Sequence, residues 1–192
     1  PAIAPVQVVI IPVAMHKDGV LDKCREVYIA LKSVARVKLD DRDFTPGWKF
    51  NEYEMKGVPV RIEIGPRDIE NGVATVARRD KTEEKFTIRL DDIATELPKL
   101  LADIQTNMYN KALAFRDSHV KIVSDTAELK DAVDSGNFAL GMWCGDRECE
   151  DKIKEITGAS TRNMPFDQTP CGDKCVCCGK KATKKIYFGK AY

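Results

Sequence analysis

The sequence predicts an α/β protein in two parts: a mixed-sheet domain over residues 1–118, then a small α+β domain over residues 119–192 that folds around a metal ion. Three observations predict it. A β-rich apolar run is followed by an amphipathic helix and a second short strand; the chain then changes to alternation with period 2 between turn residues; and six of its seven cysteines crowd into the last fifty residues.

Val6-Gln7-Val8-Val9-Ile10-Ile11-Pro12 is apolar and ends on a proline, the pattern of a strand buried on both faces. Over residues 17–35, Val20, Leu21, Cys24, Val27, Tyr28 and Leu31 recur at helical spacing, so this segment is an amphipathic crossover helix with Cys24 in the core. Arg36–Leu39 returns as a second strand, completing a βαβ unit that by general rule is right-handed. Thr45-Pro46-Gly47 caps a short helix that carries Trp48, Phe50, Tyr53 and Met55. Val58–Ile64, Val73–Arg78 and Phe86–Leu90 read as three antiparallel strands, with turns at Gly65-Pro66 and Asn71-Gly72. From Thr95 to about Phe115 the apolar positions share one helical face, and Pro98 is tolerable only in the first turn. The smaller part then opens with Lys121-Ile122-Val123, a capped helix from Thr126, and a strand over Phe138–Trp143.

Lys and Arg number 31 against 30 Asp and Glu, a net charge of +1, so any nucleic-acid binding has to come from a local surface and not from a global field. No apolar run is long enough to cross a bilayer, which excludes a membrane span, and the N-terminal segment lacks the features of a secretion signal. A cytoplasmic location is the expectation. A chain that begins at Pro1 further suggests a processed protein or a fragment of a longer one, with chemistry on the remainder.

Thiols crowded in a reducing compartment favour a soft ion over disulfides. Cys175-Val176-Cys177-Cys178-Gly179 has the spacing of a zinc knuckle, and Cys144 and Cys149, with Gly145 between them, supply a second pair. The expected ligands of a structural Zn2+ are therefore Cys144, Cys149, Cys175 and Cys178, although Cys171 with Cys175, or Cys175 with Cys177, also makes a usable pair. Four thiolates leave no open position for water or substrate, so such a site stabilises and does not catalyse. The competing reading, a redox-active dithiol, expects its motif after a first strand at a helix N-terminus, whereas this one lies near the chain end.

Four segments together are more specific: TPGWKFNEYEMKGVPVRIEIGPRD (Thr45–Asp68), KALAF (Lys111–Phe115), CGDREC (Cys144–Cys149) and FGKAY (Phe188–Tyr192). In this order they resemble the C-terminal part of prolyl-tRNA synthetases of the archaeal/eukaryote-type form, over essentially the whole chain. The resemblance implies a class II synthetase anticodon-binding domain followed by a zinc-binding domain. It also implies a parent proline-tRNA ligase, homodimeric, whose catalytic domain lies outside this chain and uses ATP and Mg2+, and in which the terminal carboxylate of Tyr192 approaches that catalytic domain. Arg61-Ile62-Glu63 has the R-x-E of a class II ATP-binding motif, but no Gly-rich motif ending in a catalytic arginine follows, so it reads as a strand. His16 and His119 read as surface or loop residues, and no catalytic residue is expected.

Single-stranded RNA is read by stacking and by hydrogen bonds to base edges. Proline anticodons share two guanines, and guanine offers O6 and N7 to a cation while its N1–H and N2–H groups need a carboxylate. The family resemblance assigns tRNA(Pro) anticodon contacts to Phe50, which can stack, to Glu54 and Asp68 as acceptors, and to Arg61 and Arg67 as donors; Lys85 is a further candidate. Read without the resemblance, Phe50 is equally a core aromatic, and Glu54 with Arg61 a surface ion pair. Lys174, Lys180, Lys181, Lys184, Lys185 and Lys190 form a basic cluster that either meets phosphates or is simply solvated. The alternative function is a free-standing zinc-bound accessory module that binds RNA or protein without catalysis.

Overall fold

The computed structural model describes residues 1–191, with the side chains of all of them except residues 82 and 83. The chain divides into two compact units, Pro1–Lys111 and Ala112–Tyr192. Tyr192, whose carboxylate the family resemblance directs toward a catalytic domain, lies outside the described residues.

The first unit is built on a five-stranded sheet in the order β2-β1-β3-β4-β5, from β1 (Val8–Pro12), β2 (Val37–Leu39), β3 (Val60–Ile64), β4 (Val73–Arg78) and β5 (Lys81–Arg89). β1 runs parallel to β2 and β3, and β3, β4 and β5 form an antiparallel meander. The run of β-branched residues in β1 is buried on both faces because helices cover both sides. On one face Val8, Ile10, Val60, Ile62, Ala74 and Val76 pack with Cys24, Val27 and Leu31 of α1 (Val20–Leu31) and with Leu97, Leu101 and Ile104 of α4 (Ile93–Ser118). On the other, Val9 and Ile11 meet Tyr53 of α2 (Pro46–Met55), with Phe50 and Val58 beside them. Cys24, fully buried, has its thiol pushed up to about 12 by burial, so it stays protonated and inert.

Thr45 caps α2 by accepting from the Trp48 amide, and Pro46 occupies the first helical position, where a missing N–H costs nothing. α2 is further fastened by a buried ion pair. The Lys49 ammonium donates to the Asp40 carbonyl at 3.0 Å and lies 3.9 Å from its carboxylate, while Arg42 forks onto the same carboxylate at 2.9 and 2.7 Å. Burial alone would raise the Asp40 pKa, but the Arg42 hydrogen bonds and the Lys49 charge outweigh it and hold the carboxyl at about 2.

Four details differ from the sequence expectation. The stretch between Gly65 and Asn71 is a short helix, α3 (Pro66–Glu70), because Asp68 accepts from the Gly65 amide and closes a first turn. β5 begins at Lys81, not Phe86: pairing with β4 outweighs the polar composition of its first half. α4 starts at Ile93, which puts Pro98 inside the helix and beyond the first turn. The fourth is α6 (Arg147–Thr157), β8 (Ala159–Thr161) and β9 (Lys184–Lys190), to which the sequence reading assigned no element and which complete the second unit, α6 burying Cys149, Ile153 and Thr157 on one face.

In that second unit β6 (Val120–Ile122) runs parallel to β7 (Phe138–Trp143), and β9 lies antiparallel between β7 and β8, giving the order β6-β7-β9-β8. Leu129, Ala132 and Val133 of α5 (Thr126–Asp134) and Ile153 of α6 close the core over Ala139, Ile186 and Phe188. Asp125 caps α5 by accepting from the Ala127 and Glu128 amides, both at 2.9 Å. No helix among the described residues is long and apolar enough to cross a membrane.

Candidate functional site

Two clusters of chemically active side chains stand out, one in each unit. The first follows from register. Arg61 of β3 pairs with Ala77 of β4, which pairs with Lys85 of β5, so the three project from one face of the sheet, and Glu63, two residues along β3, shares that face. Val9 and Ile11 of β1 are the partners of Arg61 and Glu63 on the other side. The face is therefore apolar at β1, under α2, and becomes charged across the sheet at β3 and β5.

In this cluster the Arg61 Nε donates to Glu63 Oε1 at 2.9 Å and its Nη1 to Glu54 Oε1 at 2.5 Å. Lys85 Nζ sits 2.8 and 2.9 Å from the two Glu63 oxygens. Both cations lie over the ring of Phe50, the Arg61 guanidinium 4.3 Å and the Lys85 ammonium 5.0 Å from its centroid. Arg61 and Glu63 are buried, Phe50 is half-buried, and the Glu54 side chain is 60% exposed.

Four of the six residues singled out for base contact, Phe50, Glu54, Arg61 and Lys85, thus meet in one place. Phe50 serves there as a pedestal beneath two cations, a different arrangement from an open stacking surface. Asp68 is elsewhere occupied: one oxygen accepts from the Gly65 amide at 2.9 Å and the other from the Thr75 hydroxyl at 2.9 Å. Arg67, also on α3, is exposed, and its guanidinium has no ion pair among the described residues. Glu63 is the member that sequence reasoning missed. A signal existed, since Arg61 and Glu63 stand two apart on a strand and must share a face.

The second cluster is made of thiols. Cys144 follows the last residue of β7, Cys149 sits in the first turn of α6, and Cys175 and Cys178 lie on a tight loop after it. Their four sulfurs all lie within 4.8 Å of one another, with Cys144 and Cys178 4.0 Å apart. The loop is held from two sides. Its Val176 amide donates to the Met142 carbonyl of β7 at 2.9 Å, and the Gly179 amide donates to the Cys175 carbonyl at 3.0 Å, with Gly179 in the left-handed region at φ 70°. At Gly141 of β7 a Cβ would lie 2.6 Å from the Val176 side chain, so the close seating of the loop on the strand requires a glycine.

Burial pushes the Cys149 and Cys144 thiols up. At Cys175 burial acts in the same direction, but backbone hydrogen bonds from Cys178, Cys177 and Cys144 outweigh it and bring the thiol down to about 7. This donor set can hold one metal ion. Cys171 and Cys177 pack against the same cluster but are not among the four sulfurs that converge.

Comparison with known proteins identifies the family. A family model described as "Anticodon binding domain" matches residues 7–100, and one described as "Prolyl-tRNA synthetase, C-terminal" matches residues 126–192. The chain is 51% identical over 193 aligned residues to a "Proline--tRNA ligase" of Clostridium novyi and 49% identical to a "Proline--tRNA ligase 2" of Bacillus cereus, in each case across all of this chain and 40% of the relative. It superposes with a TM-score of 0.93 and 36% identity on 42% of a prolyl-tRNA synthetase from Cryptosporidium parvum, solved with L-proline and AMP. It thus spans about two fifths of the length of the relatives it matches. Both family models, the curated relatives and the solved structure lead to one conclusion: the chain belongs to the prolyl-tRNA synthetase family, and its 192 residues correspond to that family's C-terminal region, outside the catalytic domain.

Proposed function

We propose that the first unit reads the guanines of the tRNA(Pro) anticodon, and that the second is a structural zinc domain. The observation that carries the first half is the pairing of Arg61 with Glu54 at the rim of the charged cluster. Guanine places an acceptor, O6, next to two donors, N1–H and N2–H, on one edge. A cation beside a carboxylate is its complement, and Glu54 and Arg61 exchange their mutual bond for bonds to the base. Lys85 adds a second donor over the same ring, and Arg67 meets phosphate or base nearby; Asp68 contributes as an acceptor only through lone pairs beyond those it spends on Gly65 and Thr75.

Zinc is the proposed occupant of the thiol cluster, held by Cys144, Cys149, Cys175 and Cys178. Tetrahedral zinc thiolates have sulfurs about 3.8 Å apart, close to the 4.0 Å between Cys144 and Cys178. Bound zinc supplies a cross-link between the end of β7, the start of α6 and the loop after it, with no open coordination position. The domain limits we propose are 1–118 and 119–192, so that α4 closes the first domain.

In the parent protein these domains serve an ATP- and Mg2+-dependent ligation of proline to tRNA by a catalytic domain elsewhere, in a cytoplasmic homodimer. The test of the base-reading assignment uses two anticodon stem-loop hairpins, one with the central GG and one with AA. Glu54→Ala weakens binding to the GG hairpin by about 1–3 kcal/mol, the value of a good bidentate base contact, and leaves the AA hairpin unaffected. Equal losses on both RNAs would sink the assignment.

A further inference from the structure

We propose that Glu63 is a positioning residue of the base-reading site, which holds Arg61 and Lys85 over Phe50 in the arrangement that discriminates guanine. The proposal rests on the anticodon reading above and adds to it a residue that touches no base.

A carboxylate buried on the face of a sheet is costly, and a buried ion cluster is often no more stable than apolar side chains of the same volume. The β1 side of Glu63 shows that apolar packing is available on this face, since its partner there is Ile11 and that of Arg61 is Val9, while on the β4 side Glu63 pairs with Thr75. Stability alone therefore does not call for charge there.

What Glu63 does is set direction. It takes the Nε of Arg61 at 2.9 Å, the inner edge of the guanidinium, and Glu54 takes Nη1; Nη2 has no protein acceptor among the described residues. It also takes Lys85 on both oxygens, at 2.8 and 2.9 Å, while the Lys85 side chain remains 47% exposed. Ala77, between Arg61 and Lys85 in the register, is short enough to let the Lys85 chain cross over to Glu63. One buried anion thus gathers two cations from strands that are not adjacent. It clamps the inner edge of the Arg61 guanidinium, whose Nη1 reaches Glu54 at the rim, and holds the half-exposed Lys85 ammonium over Phe50. Held in this way, the donors need no reorganisation on meeting a base, and a base of the wrong pattern cannot recruit them in another geometry.

The test measures binding of the full 192-residue chain to the GG and AA hairpins by fluorescence anisotropy, with a thermal melt for each variant. Glu63→Gln keeps the shape and removes the charge. The GG-to-AA affinity ratio then falls at least about tenfold, the scale of one lost base contact, while AA binding is unchanged or tighter because a negative charge has gone. Combined with Lys85→Met, the effects on the ratio are strongly non-additive, as expected when one residue acts through the other. If Glu63→Gln does not fold, Glu63→Asp retains the charge on a shorter arm and still lowers the ratio.

A folded Glu63 variant with the wild-type ratio, or with equal losses on both hairpins, overturns the proposal; so does simple additivity with Lys85→Met. A wild-type chain that does not distinguish GG from AA overturns the anticodon reading itself. A wild-type chain that discriminates through Glu54 and not through Glu63 overturns only the positioning role.

Discussion

The charged cluster of the first unit and the thiol cluster of the second solve the same problem by opposite means. Each draws together residues from three separate elements. In the first, oppositely charged side chains satisfy one another, so the cluster is closed inward at Glu63 and open outward at Glu54. In the second, four like ligands bring their sulfurs within 4.8 Å with no opposite charge among them, a donor set that could hold a metal ion. The difference teaches where exchangeable contacts lie. Ion pairs at a rim can be traded for a ligand, whereas a four-thiolate site has nothing to trade.

That contrast can be broken most forcefully at the thiols. Structural zinc supplies about 10–16 kcal/mol in small zinc-binding peptides, so Cys149→Ser removes the metal and unfolds the second unit, whereas Cys171→Ser keeps one zinc per chain. Metal analysis with a thermal melt checks both, and full zinc content in Cys149→Ser would refute the ligand set. The first unit has no such single point of failure, but Asp40 comes nearest. Asp40→Ala leaves the buried Lys49 ammonium its backbone carbonyl but removes the carboxylate that balances its charge, at a cost of about 3–5 kcal/mol visible in urea unfolding. A loss under about 1 kcal/mol would show that Lys49 finds another acceptor.

Acid sharpens the comparison at a smaller scale. Asp80 is held at about 2, first by the Arg78 fork and against the effect of burial, with Asn107 donating to the same carboxylate, and Asp40 is held at about 2 as well. Both folded values lie below the ordinary carboxylate range, so the folded state binds fewer protons than the unfolded one. The stabilisation is fully present above about pH 4 and is lost as pH falls toward 2, about 2 kcal/mol for each carboxylate. Melting curves across this window should steepen in pH dependence for the wild type and flatten for Asp80→Asn. Identical pH profiles for the two would remove Asp80 from the account.

Much of this was legible in the chain. Helical spacing from Val20 to Leu31, the Thr45 cap and the alternation of Val58–Ile64 are local signals, and each element appears where its period places it. Segments without a period of their own were not legible in the same way. The first half of β5 is polar and becomes a strand only because β4 offers a ladder, and β8 is three residues whose partner lies more than twenty positions on. The site divides along the same line. Cys144, Cys149, Cys175 and Cys178 were a candidate set by spacing, because a knuckle is a local turn, but Cys171 and Cys177 offered usable pairs as well, and it is the tertiary structure that brings these four sulfurs together. Phe50, Glu54 and Arg61 needed the family resemblance to be singled out.

By itself, then, the sequence determined the two-part α/β organisation, the helices and strands with strong periodicity, and a thiol cluster near the chain end. Only the tertiary structure decided that Phe50 lies beneath Arg61 and Lys85, that Asp68 is spent on Gly65 and Thr75, and that Glu63 joins the cluster. The physical reason is register. A shift of one residue along β3 or β5 would send these side chains to the opposite face, and that choice is made by the packing of the whole sheet between its helices, not by any residue within reach of the site.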